Sequence, residues 1–341
     1  MSQLAAHGGI IPAPSRLVTL PPLSLSMPHI QIYSNDQALW LDAARRMHRA
    51  TVEVAAAPTK PSSPADAVVF AGAVQADLAA IRRELEAGRH VLIAAEPCLP
   101  SETLTDLVIL GAKHNAALMF ENPDRRLTSR LAVKNQLGAA TGTGLGSPEL
   151  IRIHRWESHA SAATTAPLGL PGALVAEIEQ ALWLMGRRPE TVFALEHRGG
   201  GSGNAEAGRF VQVHLSFCPG MAVIDYNDRL PHTSGEPNLG YRSLSVIGSS
   251  GSAQTDDQAN AQLVYRGGAP RALAVGEGVL HLGRMLDDFV KRIAERKLPG
   301  LSESLCVLEW CDVDDIVAAV QSSLTTRKAV ELPAMGERKV D

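Results

Sequence analysis

Cysteine is scarce in this chain and follows no regular spacing. The four residues are Cys98, Cys218, Cys306 and Cys311. So few, irregularly placed cysteines do not make a disulfide framework, and they favour a reducing compartment. Cys306 and Cys311 lie five residues apart on one predicted helix, but a metal site would need further ligands beside them. The sequence therefore predicts neither a disulfide framework nor a bound metal.

The chain also lacks long apolar runs and an excess of basic charge. No segment approaches the roughly 20 apolar residues that a membrane helix needs. The apolar stretch at residues 17–27 has no basic start and is interrupted by Pro21 and Pro22, unlike a signal peptide. A formal net charge of −4 gives no sign of a nucleic-acid footprint. We therefore expect a cytoplasmic protein with neither a membrane nor a nucleic acid as partner.

The length and composition that are present suit two globular domains. With 341 residues, of which 45% are hydrophobic and 20% charged, each domain can bury its own core. Residues 1–28 are rich in Pro, Ser and Gly and predict an irregular arm. Strands alternate with helices over residues 29–121, which predicts a parallel sheet with right-handed crossovers. Residues 122–330 predict a second domain with further strands and hairpin loops, and residues 331–341 a tail.

The stretch at residues 86–100, EAGRHVLIAAEPCLP, stands at the centre of the first domain. Gly88 ends an amphipathic helix, and residues 90–94 predict a short buried strand. Glu96 and Pro97 follow the carboxyl end of that strand. Because ligands of open α/β sheets bind at that end, both residues are candidates for a ligand site.

The turn after the first strand is unlike that of a dinucleotide fold, which reads G-x-G-x-x-G so that the backbone can approach the pyrophosphate. Here it reads Ser34, Asn35, Asp36 and Gln37, without glycine. Asp36 puts a negative charge where phosphates would lie and is better interpreted as a helix N-cap. The second strand ends in alanines 55–57 rather than in an acid for the ribose hydroxyls. This turn is therefore a degenerate candidate for cofactor binding.

Several segments, in their order along the chain, resemble the Gfo/Idh/MocA oxidoreductases. Residues 66–97 resemble the family's DAVxIATPxxxHxxxxxxALxAGKHVLCEKP. Arg125 or Arg126 fills its arginine position, and GLGSP at 144–148 resembles the turn before its open sheet. Residues 171–186 resemble its helix GGxLxDxGxHxxDLxxWLxG. The resemblance implies an α/β plus α+β protein, with a Rossmann-like parallel sheet followed by a large open, mainly antiparallel sheet.

The residues that bind the cofactor and catalyse the reaction in this family are missing from the matching segments. The family transfers a hydride between NAD(P) and a sugar or cyclitol, helped by the Lys of EKP and by the helix Asp and His. At the lysine position this chain has Glu96, or Ala95 if the extra residue in IAAEP is placed differently, and at the two helix positions it has Gly172 and Ala176. We therefore expect no cofactor and a homologue that has lost hydride transfer. It would act as a non-catalytic partner subunit or as a ligand-binding or regulatory protein.

Two enzymatic alternatives stay open. One is an NAD(P)-dependent oxidoreductase that acts on a sugar- or cyclitol-like alcohol and binds its cofactor atypically. The other is a cofactor-free acid/base enzyme that uses Glu96 with Glu177 or His154. In each case the resemblance implies association through the open sheet, with a second copy or with an active relative, and a small-molecule ligand is expected.

Two further segments supply candidate side chains. In LIRIHRWES, alternation predicts His154 and Trp156 on one face of a strand and Arg155 and Glu157 on the other. Trp156 joins Pro97 and Arg126 as a candidate for the ligand cleft. On the helix at 171–186 the only ionisable side chains are two glutamates, which we expect to be solvated at the surface. They are Glu177 and Glu179.

Overall fold

The computed structural model describes residues 27–55, 65–72, 78–95, 99–138, 144–158, 169–198, 209–230, 240–256, 261–265, 271–274, 280–294 and 305–333. Glu96, Pro97, nearly all of the predicted arm and most of the predicted tail lie outside these ranges. No helix in the described ranges is both long and apolar enough to span a bilayer.

The first part of the chain alternates strands and helices. They are β1 (His29–Ser34), α1 (Gln37–Arg45), β2 (Thr51–Ala55), β3 (Ala67–Ala71), α2 (Leu78–Glu86), β4 (His90–Ala94), α3 (Ser101–Lys113) and β5 (Leu118–Glu121). The five strands form one parallel sheet in the order β2-β1-β3-β4-β5. The predicted Rossmann-like sheet is confirmed. Its order reverses at β1 and β3, so the crevice at their carboxyl ends is where such a sheet binds ligands.

The second part is built mainly of strands. Its elements are a 3₁₀ turn (Pro123–Arg126), α4 (Thr128–Gln136), β6 (Pro148–Ser158), α5 (Gly172–Met185), β7 (Thr191–Arg198), β8 (Arg209–Ser216), β9 (Met221–Leu230), β10 (Tyr241–Gly248), β11 (Gly251–Asp256), β12 (Ala261–Tyr265), β13 (Arg271–Ala274), α6 (Leu280–Ala294), α7 (Leu305–Thr326) and β14 (Val330–Glu331). The strands form one sheet in the order β13-β12-β11-β10-β6-β9-β8-β7-β14. Among the described strands of this second sheet, only the β6 and β9 pair is parallel, which confirms the large, mainly antiparallel sheet.

The nine-stranded sheet has a core face and an open face. On β6, Ile151 and Ile153 are fully buried on the core face, where α5 packs against β6 and β9. The intervening Arg152 lies on the opposite face and is exposed. Period-2 alternation therefore gives each strand one apolar and one more polar row.

Two apolar clusters hold the molecule together. One runs without a break from Phe70 in the first sheet to Ile153 and Leu174 in the second part. The other lies on the far side of the first sheet, where α6 packs against α1 and the cluster includes Phe289 and Trp40. Because one core spans both sheets, the division at residue 122 stays a prediction.

Candidate functional site

The β1–α1 turn lies at the switch point of the parallel sheet. The Oγ of Ser34 accepts a hydrogen bond from the backbone N–H of Asp36 at 3.1 Å. Asp36 Oδ1 in turn accepts from the backbone N–H of Leu39, also at 3.1 Å. Asp36 is thus the N-cap of α1, as predicted. Its carboxylate stands at the helix N-terminus, where a glycine-rich turn would bind a pyrophosphate.

This turn does not fit a pyrophosphate bound in the usual way. Asp36 would repel phosphate charge and already uses one of the helix's first amides. At the end of β2 the strand offers Ala55, and Glu53 points to His29, at 3.9 Å, with 57% of its side chain exposed. Gly72, just after β3, differs: its φ is +98°, and no described atom lies within 4 Å of a Cβ built there. Among the described residues at this edge, Gly72 beside β3 therefore lets a ligand approach the backbone more easily than the Asp36 cap beside β1.

A group of five charged side chains, three of them buried and two partly buried, lies where the two sheets meet. We call it the arginine cluster: Asp124, Arg130, Arg155, Glu177 and Arg242. Arg130 donates two hydrogen bonds to the Glu177 carboxylate, at 2.9 and 3.3 Å. Arg155 and Arg242 donate to Glu177 Oε1 at 3.4 and 3.1 Å. Asp124 accepts two further bonds from Arg242.

Each member of the arginine cluster comes from a different element. Asp124 lies in the 3₁₀ turn after β5, Arg130 on α4 and Glu177 on α5. Arg155 and Arg242 are direct neighbours across β6 and β10. Two guanidinium groups side by side on a buried face need counter-charges, because an unpaired buried charge is costly. Glu177 and Asp124 supply them.

The electrostatics of the cluster keep both carboxylates ionised. Burial by itself would raise the pKa of Glu177, but Arg130, Arg242 and Arg155 outweigh it and hold that pKa below its usual range. The pKa of Asp124 is likewise lowered, with Arg242 as the strongest opposing charge to burial. A carboxylate held in this way is a poor proton donor and a weak base. Glu177 therefore suits anchoring better than acid/base work.

The expectation that Glu177 and Glu179 are solvated is wrong. Their exposed fractions are 0% and 3%. Glu179 accepts hydrogen bonds from Asn122 Nδ2 at 3.0 Å and from Gln180 Nε2 at 3.3 Å, and pairs with Arg125. Twelve of the fourteen residues of α5 are buried, because the second part of the chain wraps around the helix. Apart from Gln180, the partners of the two glutamates lie far away in sequence, so helical periodicity could not reveal them.

The structure places His154 and Trp156 on the open face. His154 Nδ1 lies 3.2 Å from Asp225 Oδ2, and the Trp156 ring is centred 5.2 Å from that of Tyr241. Burial lowers the pKa of His154, although Asp225 opposes the shift. The predicted alternation along β6 is confirmed, since Arg155 contacts Glu177 on the core face. His154 is therefore separated from Glu177 by the sheet, and the two cannot hold one ligand together.

Arg126 lies at the carboxyl edge of the parallel sheet. It pairs with Glu121 at the end of β5 and with Asp288 on α6, where the NH1 to Oδ2 distance is 2.6 Å. Burial lowers its pKa, but these two carboxylates outweigh burial and raise it overall. Both partners are protein groups, so Arg126 links β5 to α6. Its role toward a ligand stays a prediction.

Some side chains of this region were missed from the sequence. Arg155 carried a usable signal, because it continues the apolar row of Ile151 and Ile153 and so had to be buried. No sequence signal pointed to Arg130 or Arg242, and none pointed to Tyr226 on the core face of β9. In the described part of the chain, no three side chains of the metal-binding types come together.

Comparisons with known proteins place this geometry in a wider group. No protein-family model and no curated protein matches the sequence. Solved structures do match. An oxidoreductase from Agrobacterium radiobacter, in complex with NAD+, L-tartaric acid and magnesium, has a TM-score of 0.65 at 12% identity, over 89% of this chain and 98% of that one.

Two further structures agree. The UDP-N-acetylglucosamine 3-dehydrogenase of Acidithiobacillus ferrooxidans has a TM-score of 0.66 at 14% identity, over 88% of this chain and 98% of its own. A probable dehydrogenase from Thermotoga maritima has a TM-score of 0.65 at 14% identity, covering 89% and 98%.

These similarities correct the expectation that no cofactor is involved. The Agrobacterium structure contains NAD+, and the other two proteins are described as dehydrogenases. The missing glycines do not exclude a cofactor, because a fold can be retained when individual motif residues change. At the level of the fold the resemblance is confirmed: the chain has the fold of the Gfo/Idh/MocA-type oxidoreductases.

Proposed function

We propose that this protein is an NAD(P)-dependent oxidoreductase that acts on a sugar- or cyclitol-like alcohol and binds its cofactor atypically. One observation carries the proposal. About nine tenths of the chain, including both sheets, superposes on nearly complete oxidoreductase structures, one of them an NAD+ complex. The non-catalytic interpretation has no comparable support.

The atypical binding follows from the fit at the switch point. The β1–α1 turn carries the Asp36 cap instead of a glycine cradle. Beside β3, Gly72 has a positive φ and open space next to its Cα. A dinucleotide at this edge would therefore approach the backbone near β3 and gain less from the N-terminus of α1 than in a glycine-rich turn.

The protein must also exchange the alcohol proton through its own side chains. Gly172 and Ala176 have no ionisable group, and Glu177 is fixed as a carboxylate by three guanidinium groups. Glu96 keeps its sequence position after β4 and remains the candidate for this step. In this scheme the arginine cluster fixes α5 against the sheet and holds the two parts of the chain in register.

We further propose that the open face associates with a second copy of the chain, or with a related chain. Exposed apolar side chains support this. Leu195, Met221, Tyr241 and Ile247 are each more than 40% exposed, and all four lie on that face. Ile247 and Met221 lie on either side of Leu150, so part of this exposed surface is continuously apolar, as at an interaction site. Light scattering on the protein as it elutes from a size-exclusion column would give its mass. A monomer at all concentrations would contradict this proposal.

A thermal-shift titration with NAD+, NADH, NADP+ and NADPH tests the oxidoreductase proposal. A ligand of the folded state at about 100 times its dissociation constant adds about 2.7 kcal/mol of stability, which moves the unfolding midpoint by several degrees. We expect such a shift with at least one of the four. Adenosine at equal concentration is the control for binding through the base alone. No shift with any nucleotide at millimolar concentration would contradict the proposal.

A further inference from the structure

Tyr226 is a buried hydrogen-bond donor without an acceptor. It lies on the core face of β9, directly opposite Arg155 of β6 and Val211 of β8. Its side chain is completely buried, and in the described part of the chain no group accepts a hydrogen bond from its hydroxyl. Buried hydroxyls are normally satisfied, because an unmade hydrogen bond is costly. This one therefore indicates a missing partner.

Four charged side chains act on the Tyr226 hydroxyl, namely Glu157, Asp228, Arg155 and Arg209. Arg155 Nε donates to Glu157 Oε1 at 2.7 Å. Asp228 Oδ1 accepts from the backbone N–H of Arg209. Two carboxylates and two guanidinium groups leave the surroundings of the hydroxyl without net charge. This balance of charge favours an uncharged oxygen over an anion as the missing partner.

The protonation state of Tyr226 agrees with this. Burial, with Glu157 and Asp228, raises the pKa of the phenol well above its ordinary value, and Arg155 and Arg209 only partly oppose the shift. The hydroxyl therefore keeps its proton throughout the neutral range. It can donate a hydrogen bond, and it cannot serve as a base.

Helix α5 packs on the face of the sheet that carries Tyr226. Glu177 of α5 contacts Arg155 near the end of β6, whereas Met185 lies beside the start of β6, next to Gly220. The helix therefore runs antiparallel to β6, and its first turn lies toward the strand end that carries Tyr226. That turn begins with Gly172 and Ala173, which offer no polar group to the phenol.

We propose that the Tyr226 hydroxyl binds an uncharged oxygen, a hydroxyl or carbonyl, of a polyol substrate. The proposal rests on the oxidoreductase function proposed above and names a binding group for its substrate. Tyr226 takes a position different from the helix Asp and His of the resembling family, and it donates to the substrate oxygen without removing its proton.

The ligand-free protein gives the first test. Tyr226→Phe removes only the hydroxyl. If that hydroxyl has no partner, the variant should unfold at the same temperature as the wild type or higher. Tyr33→Phe is the matched control, since Tyr33 is also buried, in β1, but its hydroxyl is not among the buried polar atoms that lack a hydrogen-bond partner. That variant should unfold at a lower temperature. A Tyr226→Phe protein that loses as much stability as Tyr33→Phe would show a structural partner, such as a fixed water, and would overturn the proposal.

Ligand binding gives the second test, with myo-inositol and D-glucose as uncharged probes and L-tartrate as an anionic probe. We expect an uncharged probe to bind the wild type, to bind Tyr226→Phe about tenfold more weakly, and to bind Tyr33→Phe unchanged. Equal affinity for wild type and Tyr226→Phe, no binding of either uncharged probe, or a Tyr226-dependence seen only with L-tartrate would each overturn it.

The nucleotide titration separates this inference from the proposed function. If NADH or NADPH shifts both the wild type and Tyr226→Phe equally, the oxidoreductase proposal stands even when the polyol probes fail. If no nucleotide shifts the wild type, the function itself fails, whatever Tyr226 binds.

Discussion

The β1–α1 turn and the arginine cluster both hold an acidic side chain near a position that matters in the resembling family. Asp36 lies in the turn where that family binds its cofactor, and Glu177 follows Ala176, which takes the place of the family's helix His. Asp36 is exposed, and its carboxylate caps α1 by accepting a hydrogen bond from Leu39, three residues away. Glu177 is completely buried and receives hydrogen bonds from three arginines that are 47, 22 and 65 residues away in sequence. One acid is a local feature of the chain, and the other depends on the whole second part of the fold.

This difference bears on which of the two positions can change. Replacing an exposed cap costs about 1 kcal/mol, or nothing if the new residue also caps. Replacing one member of a buried ion cluster leaves the others uncompensated. The turn is therefore open to adjustment for ligand binding, whereas the cluster is part of the framework that any ligand would meet.

The largest expected effect comes from Glu177→Gln. Three guanidinium groups lose their shared counter-charge, and we expect a loss of about 3 to 5 kcal/mol in the free energy of unfolding, measured with urea. Glu53→Gln, at an exposed site, is the matched control and should change little. If Glu177→Gln were as stable as this control, the cluster would not be a structural unit.

The second largest effect is expected from acid, which should reduce the contribution of the arginine cluster to the free energy of unfolding. The pKa values of Glu177 and Asp124 are lowered in the folded protein, so their ion pairs contribute stability above the pKa of the unfolded chain, near 4. That contribution is lost as the pH falls below this value, with about 2 kcal/mol lost by pH 3. Urea unfolding from pH 7 to pH 3 should therefore bring wild type and Glu177→Gln closer together. Parallel curves for the two proteins would contradict this.

The same contrast explains what the sequence could predict. Strand and helix alternation and the cap at Asp36 depend on neighbours along the chain, and these were predicted correctly. The row of Ile151, Ile153 and Arg155 also follows from period-2 alternation, so the face of Arg155 was predictable, although its partner was not.

The arginine cluster could not be predicted for a physical reason. Glu177 was expected at the surface because a carboxylate on a helix is usually solvated, and nothing near it in sequence is basic before Arg187. Only the fold brings Arg130, Arg155 and Arg242 to it. The cofactor could not be predicted for another reason. The family's motif residues are absent from the sequence, whereas the fold that it shares with an NAD+ complex is retained.

Neighbouring residues on β6 test the boundary of the cluster. Arg155→Gln removes one of the three arginines that bind Glu177 and leaves Glu157 without its Nε donor, so we expect a loss of about 1 to 3 kcal/mol. His154→Gln, one residue away on the open face, should cost less than about 1 kcal/mol. Urea unfolding of both variants at neutral pH measures the difference. Equal losses would show that the two faces of β6 are not distinct in energy.

Asp36→Ser should have the smallest effect on stability. It should have the clearest effect on the affinity for the cofactor. Serine caps as well as aspartate, so stability should stay within about 0.5 kcal/mol of the wild type. If the nucleotide phosphates lie near the N-terminus of α1, removing the charge should tighten NADH or NADPH binding about two- to fivefold. The gain should shrink in high salt, because salt screens the repulsion between exposed charges. Asp42→Ser, in the middle of the same helix, is the control and should leave the affinity unchanged. Unchanged or weaker binding in Asp36→Ser would place the phosphates away from this turn, and Gly72 beside β3 would then be the next position to probe.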